Sequence, residues 1–65
     1  MLKIPRFLKE FASYKIHEIE LLKADFPENA TILTVKEERI YRILKNYKIG
    51  LITIDESMKE ILETI

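Results

Sequence analysis

Residues 43–62 read ILKNYKIGLITIDESMKEIL and contain the strongest local signals for secondary structure. Gly50 follows an apolar helical pattern and suits a left-handed helix cap, because glycine adopts positive φ angles without strain. Thr53 and Glu56 have the spacing of a capping box, in which each side chain bonds the backbone N–H of the other residue. The apolar residues that follow have helical spacing: Ile54, Met58, Ile61, Leu62 and Ile65. The stretch therefore predicts two helices joined by a short turn.

A second capping box precedes the first of these two helices. Thr34 and Glu37 stand at the required spacing. They predict a helix over residues 35–48 with an apolar face made of Ile40, Ile43, Leu44 and Tyr47. With the last helix over residues 54–64, the segment 34–65 is expected to form a helical hairpin.

Residues 1–26 predict one long amphipathic helix, running from about residue 5 to residue 25. Pro5 suits the first helical position, where its missing N–H has no cost. Pro27 ends the helix, because it biases the preceding residue away from the α region. The apolar face is broad: Ile4, Phe7, Leu8, Phe11, Ala12, Tyr14, Ile19, Leu22 and Phe26.

Lys15 and Glu18 interrupt this apolar face and are three residues apart. Three interpretations stay open. Lys15 extends its aliphatic stem over apolar surface and reaches water, or the two residues fix the register between two chains, or the helix breaks near Ser13. On a continuous helix the two side chains can pair with each other.

Together these segments predict an all-α protein, a single domain over residues 1–65 with three helices. A small α/β alternative stays open, because residues 31–35 and 50–54 are rich in β-branched side chains and flank one helix. A lone parallel strand pair would need further strands from a partner.

The amino-acid composition excludes several classes of protein. The 65 residues carry 11 Lys and Arg against 11 Asp and Glu, with one His and no Cys. A domain of this size without disulfides is marginal unless another chain covers part of its surface. No apolar run approaches the ~18 residues of a membrane span, and no cluster of zinc ligands exists. We expect a cytoplasmic protein without cofactor, metal or membrane span.

Catalysis is not predicted. The chain has no Cys nucleophile, glycine-rich phosphate loop or His-Glu-x-x-His spacing. His17 lies on the polar side of the first helix with no predicted partner, and the carboxylate pairs have capping or solvent roles. The chain is therefore expected not to be an enzyme, and no catalytic residue is assigned.

The first helix predicts self-association. Its apolar residues span more than the roughly 100° that one core requires. The face predicted to associate comprises Phe7, Phe11, Tyr14, Lys15 and Glu18. The expected partner is a second copy in a two-fold dimer, or another protein chain. A basic amphipathic N-terminal segment is also typical of proteins that bind membrane surfaces, but acidic residues follow it in this chain.

The second helix carries a basic stripe made of Arg39, Arg42 and Lys45. Such a stripe supports nucleic-acid binding as the second functional hypothesis. The last helix, however, bears four acidic residues against Lys59, so it is a poor candidate for contact with phosphate. Alternatively, the basic and acidic helices complement each other within the hairpin or across an interface.

The sequence of residues 43–62 resembles the short C-terminal (SHOCT-type) helical hairpin, with its apolar helix, Gly50, and Ile-Thr followed by acidic residues. That family usually has an aromatic residue after the Glu, whereas Ser57 stands here. The chain is also similar to small proteins of phages and mobile elements in low-GC Gram-positive bacteria. The resemblance implies an oligomerisation or interaction element and assigns no site residue.

Overall fold

The computed structural model describes residues 1–64, which form three helices: α1 (Arg6–Asp25), α2 (Ala30–Lys48) and α3 (Ile54–Thr64). No strand occurs in this part of the chain, so the all-α prediction is confirmed and the α/β alternative is wrong. Residues 31–35 lie inside α2, while residues 50–54 form the interhelical turn and the first position of α3. The molecule is elongated, with extents of 37 × 18 × 17 Å.

Helix α1 runs without interruption through Ser13, so the predicted alternative of a break there is wrong. Pro5 precedes the first helical residue, and its carbonyl accepts a bond from the Lys9 N–H at 3.0 Å. At the other end Phe26 leaves the α region (φ −129°, ψ 68°) because Pro27 follows it. A single 3₁₀ turn, Pro27–Asn29, then leads directly into α2.

Helix α2 begins at Ala30, five residues earlier than predicted, so the capping box at Thr34 and Glu37 is wrong. Thr34 lies inside the helix, and Glu37 forms an ion pair with Lys23 of α1 instead of turning back to Thr34. Burial of Leu33 in the core explains the extension, because packing outweighs the weak helix propensity of β-branched neighbours.

The end of α2 is a Schellman motif, as the sequence predicts for Gly50. The Leu51 N–H donates to the Asn46 carbonyl at 2.9 Å, and the Gly50 N–H donates to the Tyr47 carbonyl at 3.0 Å. Gly50 has φ +80°, the one positive φ among the described residues. This turn reverses the chain and sets α3 back along α2.

We predict that Gly50→Ala lowers the free energy of unfolding by about 1–2 kcal/mol, because an L side chain is strained at this φ. A Cβ at this position meets no atom within 4 Å, so the loss reports backbone strain alone. Urea unfolding followed by far-UV circular dichroism measures it, with Gly50→Asn as the milder control. Equal midpoints for the glycine and alanine proteins would contradict the prediction.

The second predicted capping box is confirmed at the start of α3. Thr53 Oγ1 accepts from the Glu56 N–H, and Glu56 Oε1 accepts from the Thr53 N–H, both at 3.1 Å. Two donors that would otherwise lack partners are satisfied. Helix α3 therefore begins where the sequence predicts, and it extends to Thr64, the last described residue.

The face that α3 packs against the core includes the predicted residues Ile54, Met58 and Ile61, but it differs from the prediction in its other members. Ser57 is fully buried and Thr64 nearly so, whereas Leu62 is exposed. Each buried hydroxyl donates to the carbonyl four residues earlier at 2.8 Å, so neither needs an interhelical partner. Small residues therefore mark the line along which α3 packs. Ile65, also assigned to the apolar row, lies outside the described residues.

All three helices contribute to one core cluster. Its buried residues are Leu8, Ala12, Ile19, Leu33, Ile40, Ile43, Tyr47 and Ile61. Lys36 of α2 joins the far end of α3 by donating to the Thr64 carbonyl at 2.8 Å. At the opposite end of α2, the Leu2 N–H donates to the Lys48 carbonyl at 2.8 Å. The core holds α1 with its opposite face directed to solvent, and the Leu2 bond ties the segment before α1 to the end of α2.

Candidate interaction surfaces

An outer row of large side chains lies on α1, away from the core. Phe7, Tyr14 and Leu21 remain 54%, 61% and 54% exposed. They are spaced by seven residues, which places them on one side of the helix. The buried residues Leu8 and Ile19 define the core-facing side. Helix α1 therefore has two apolar sides, of which the chain covers one.

Phe11 lies between these two sides. It is half-buried and packs against the core cluster. The predicted self-association face is therefore divided: Phe7 and Tyr14 are open to solvent, whereas Phe11 contributes to the fold as well. A substitution at Phe11 would disturb both.

Lys15 and Glu18 pair within the same helix. Lys15 Nζ lies 3.3 Å from Glu18 Oε2, and it lies 5.9 Å from the ring centres of both Phe11 and Tyr14. The Lys15 side chain is 18% exposed and Glu18 is half-buried. Lys15 thus covers apolar surface with its stem, while its ammonium is balanced by a carboxylate and aromatic faces. This contact needs no second chain.

The basic stripe of α2 is fully on the surface. Arg39, Arg42 and Lys45 are all exposed. Arg39 and Arg42 line a groove with Glu60 of α3, yet none of the three basic residues lies within 4.0 Å of a carboxylate of residues 1–64. Arg39 and Arg42 of α2 and the acidic Glu60 of α3 are therefore close to each other, as expected for complementary helices. They form no ion pair within the described residues.

His17 is exposed on α1. Among residues 1–64, no three His, Cys, Asp or Glu side chains are grouped so that they could hold a metal ion. No helix in that range is long and apolar enough to cross a bilayer.

Comparisons with protein-family models, with curated proteins and with solved structures found no match to this chain. Function is therefore inferred from the surfaces themselves. Two of them stand out: the outer row of α1 and the basic stripe of α2.

Sequence reasoning missed two features of these helices. Leu21 completes the outer row, and its spacing of seven from Tyr14 was the available signal. The ion pair between Lys23 and Glu37 joins α1 to α2 with both side chains largely buried, 29% and 14% exposed. No local pattern predicts it, because the two residues are brought together by the packing of different helices.

Proposed function

We propose that this protein is a non-enzymatic interaction module of the cytoplasm that self-associates as a two-fold dimer through the outer face of α1. The outer row of Phe7, Tyr14 and Leu21 is the observation that carries the proposal. A helix with two apolar sides buries the second one against another chain.

The surface area supports this proposal. The chain exposes 4751 Å², whereas a folded monomer of 7.8 kDa is expected to expose about 4,400 Å². Covering a half-exposed Phe, Tyr or Leu contributes on the order of 1 kcal/mol. Six such side chains in a two-fold dimer contribute roughly 6 kcal/mol before the costs of association, which favours a weak complex with a dissociation constant of tens of micromolar or higher.

The test compares two tyrosines of similar exposure on different helices, Tyr14 at 61% and Tyr41 at 58%. We expect Tyr14→Glu to weaken dimerisation at least ~10-fold, because a carboxylate would be desolvated in the interface. Tyr41→Glu lies outside the proposed face and should leave the dimer unchanged. Sedimentation equilibrium across micromolar concentrations gives both values, and circular dichroism checks that each variant is folded.

A folded wild-type monomer at every concentration would overturn the proposal. So would a dimer that tolerates Tyr14→Glu. The more hydrophobic neighbour Phe11 is unsuitable as the test position, because it packs against the core and its substitution would confound folding with association.

The second candidate function is nucleic-acid binding through Arg39, Arg42 and Lys45. It is favoured by one observation: these cations are exposed and form no ion pair within residues 1–64. Free surface cations on one helix side are what contact with phosphate requires.

Reversing the three stripe residues to Glu should abolish any retention of labelled DNA or RNA at low salt. Three phosphate contacts to duplex DNA predict a slope of log K against log salt of about −2.7 for the wild type. The matched control reverses Lys3, Lys9 and Lys59, which are exposed elsewhere and give the same change in net charge. Equal loss in both triple variants would assign the binding to overall charge, and no wild-type retention would end this hypothesis.

A further inference from the structure

We infer that the two copies of α1 pack antiparallel, with the two-fold axis passing close to Tyr14. The inference rests on the proposed function, because it specifies the orientation of the same dimer. It follows from the apolar residues of the outer row and from the distribution of charge between the two ends of the segment that contains α1.

The outer row is symmetric about its central member. Phe7 and Leu21 each lie seven residues from Tyr14, about 10.5 Å along the helix axis. A two-fold axis at Tyr14 therefore brings Phe7 of one chain against the partner's Leu21 at both ends of the row. The row can also pair in parallel, like residue on like residue, so the apolar residues alone permit both orientations.

Charge distinguishes the two orientations. Residues 3–10 carry three basic side chains against one acidic, a net charge of +2. Residues 18–25 carry three acidic side chains against one basic, a net charge of −2. A parallel pair stacks like charges at both ends, whereas an antiparallel pair sets the basic end of each helix against the acidic end of the other.

Two further features agree with the antiparallel orientation. Antiparallel helices place the positive end of one macrodipole beside the negative end of the other. The Lys15 ammonium, near the centre of the row, is already paired with Glu18 of its own chain at 3.3 Å. The proposed axis therefore carries no unbalanced charge from Lys15.

The chain has no cysteine, so single spin labels can be placed without background. Arg6→Cys and Ala24→Cys are suitable, because both positions are exposed and are 18 residues, five full turns, apart on one side of α1. Pulsed EPR on each labelled dimer then measures the distance between like positions in the two chains.

An antiparallel dimer centred on Tyr14 separates the two Arg6→Cys labels by about 24 Å along the axis and the two Ala24→Cys labels by about 30 Å. A mixture of the two singly labelled proteins should add a clearly shorter distance between unlike labels. Short distances between like labels, with a longer distance of about 27 Å between unlike labels added by mixing, would show a parallel dimer and overturn the inference while the proposed function stands. Absence of dipolar coupling at concentrations that saturate a micromolar dimer would overturn both.

Charge reversal provides an independent readout. Lys3→Glu with Arg6→Glu should weaken the dimer ~10-fold, and adding Glu20→Lys with Asp25→Lys should restore it, since the opposed ends exchange signs. In a parallel dimer each end of α1 faces the same end of the other copy. The four charge-reversing substitutions together should then restore no affinity. Sedimentation equilibrium at low salt measures all three affinities.

Discussion

Replacing Ile40 with alanine is expected to remove about 2–5 kcal/mol from the free energy of unfolding, which leaves at most ~3 kcal/mol of stability at 25 °C. Ile40 is fully buried in the core cluster to which all three helices contribute. Removing a buried Ile side chain beyond its Cβ costs about 2–5 kcal/mol, from lost transfer free energy and from the cavity left behind. A domain this small has a net stability of only ~5 kcal/mol.

Urea unfolding monitored by circular dichroism measures this loss, and Ile32→Ala is the matched control. Ile32 lies on the same helix but is exposed, so its replacement should change the free energy of unfolding by less than ~0.5 kcal/mol. Similar midpoints for the two variants would mean that the core cluster does not hold the helices together as described.

Lys23→Met is expected to produce the second-largest loss in the free energy of unfolding. Glu37 Oε1 is buried and has no hydrogen bond within residues 1–64, so its compensation is the ion pair with Lys23. Removing one partner of a buried pair strands the other charge, which costs about 3–5 kcal/mol. Because the Lys23 side chain is 29% exposed to water, we expect a loss somewhat below this range, about 2–3 kcal/mol.

Two companion variants separate charge from packing. In Lys23→Met combined with Glu37→Leu no charge is stranded, so most of the lost stability should return. Arg6→Met breaks the exposed pair with Glu10, and little measurable change is expected there. A loss in the double variant equal to that of Lys23→Met alone would attribute the effect to the lysine stem rather than to the stranded carboxylate.

The fold was predictable wherever the determinants are local. Gly50 specifies the end of α2 because few other residues tolerate its backbone angles, and the capping box of Thr53 and Glu56 specifies the start of α3. The end of α1 follows equally from the restriction that Pro27 imposes on Phe26. Such signals act between residues at most a few positions apart.

The features that could not be predicted from the sequence are those that contacts between helices determine. The box at Thr34 and Glu37 has the same spacing as the true one, but Glu37 is engaged by Lys23 of another helix. The line of Ser57 and Thr64 along which α3 packs is invisible to hydrophobic periodicity, because both residues are polar by type. The self-association face of α1 stays a prediction, since a single chain does not contain the partner that would cover it.

The order of packing in this chain also has a kinetic consequence. Helices adjacent in sequence make most of the interhelical contacts, and α1 and α3 share the fewest of the three helix pairs. Closing short loops costs little entropy, and folds dominated by local contacts form within microseconds to milliseconds. Each chain therefore reaches its folded form by a fast first-order process. The pairing of two copies that we propose is then a separate second-order step, whose rate scales with protein concentration.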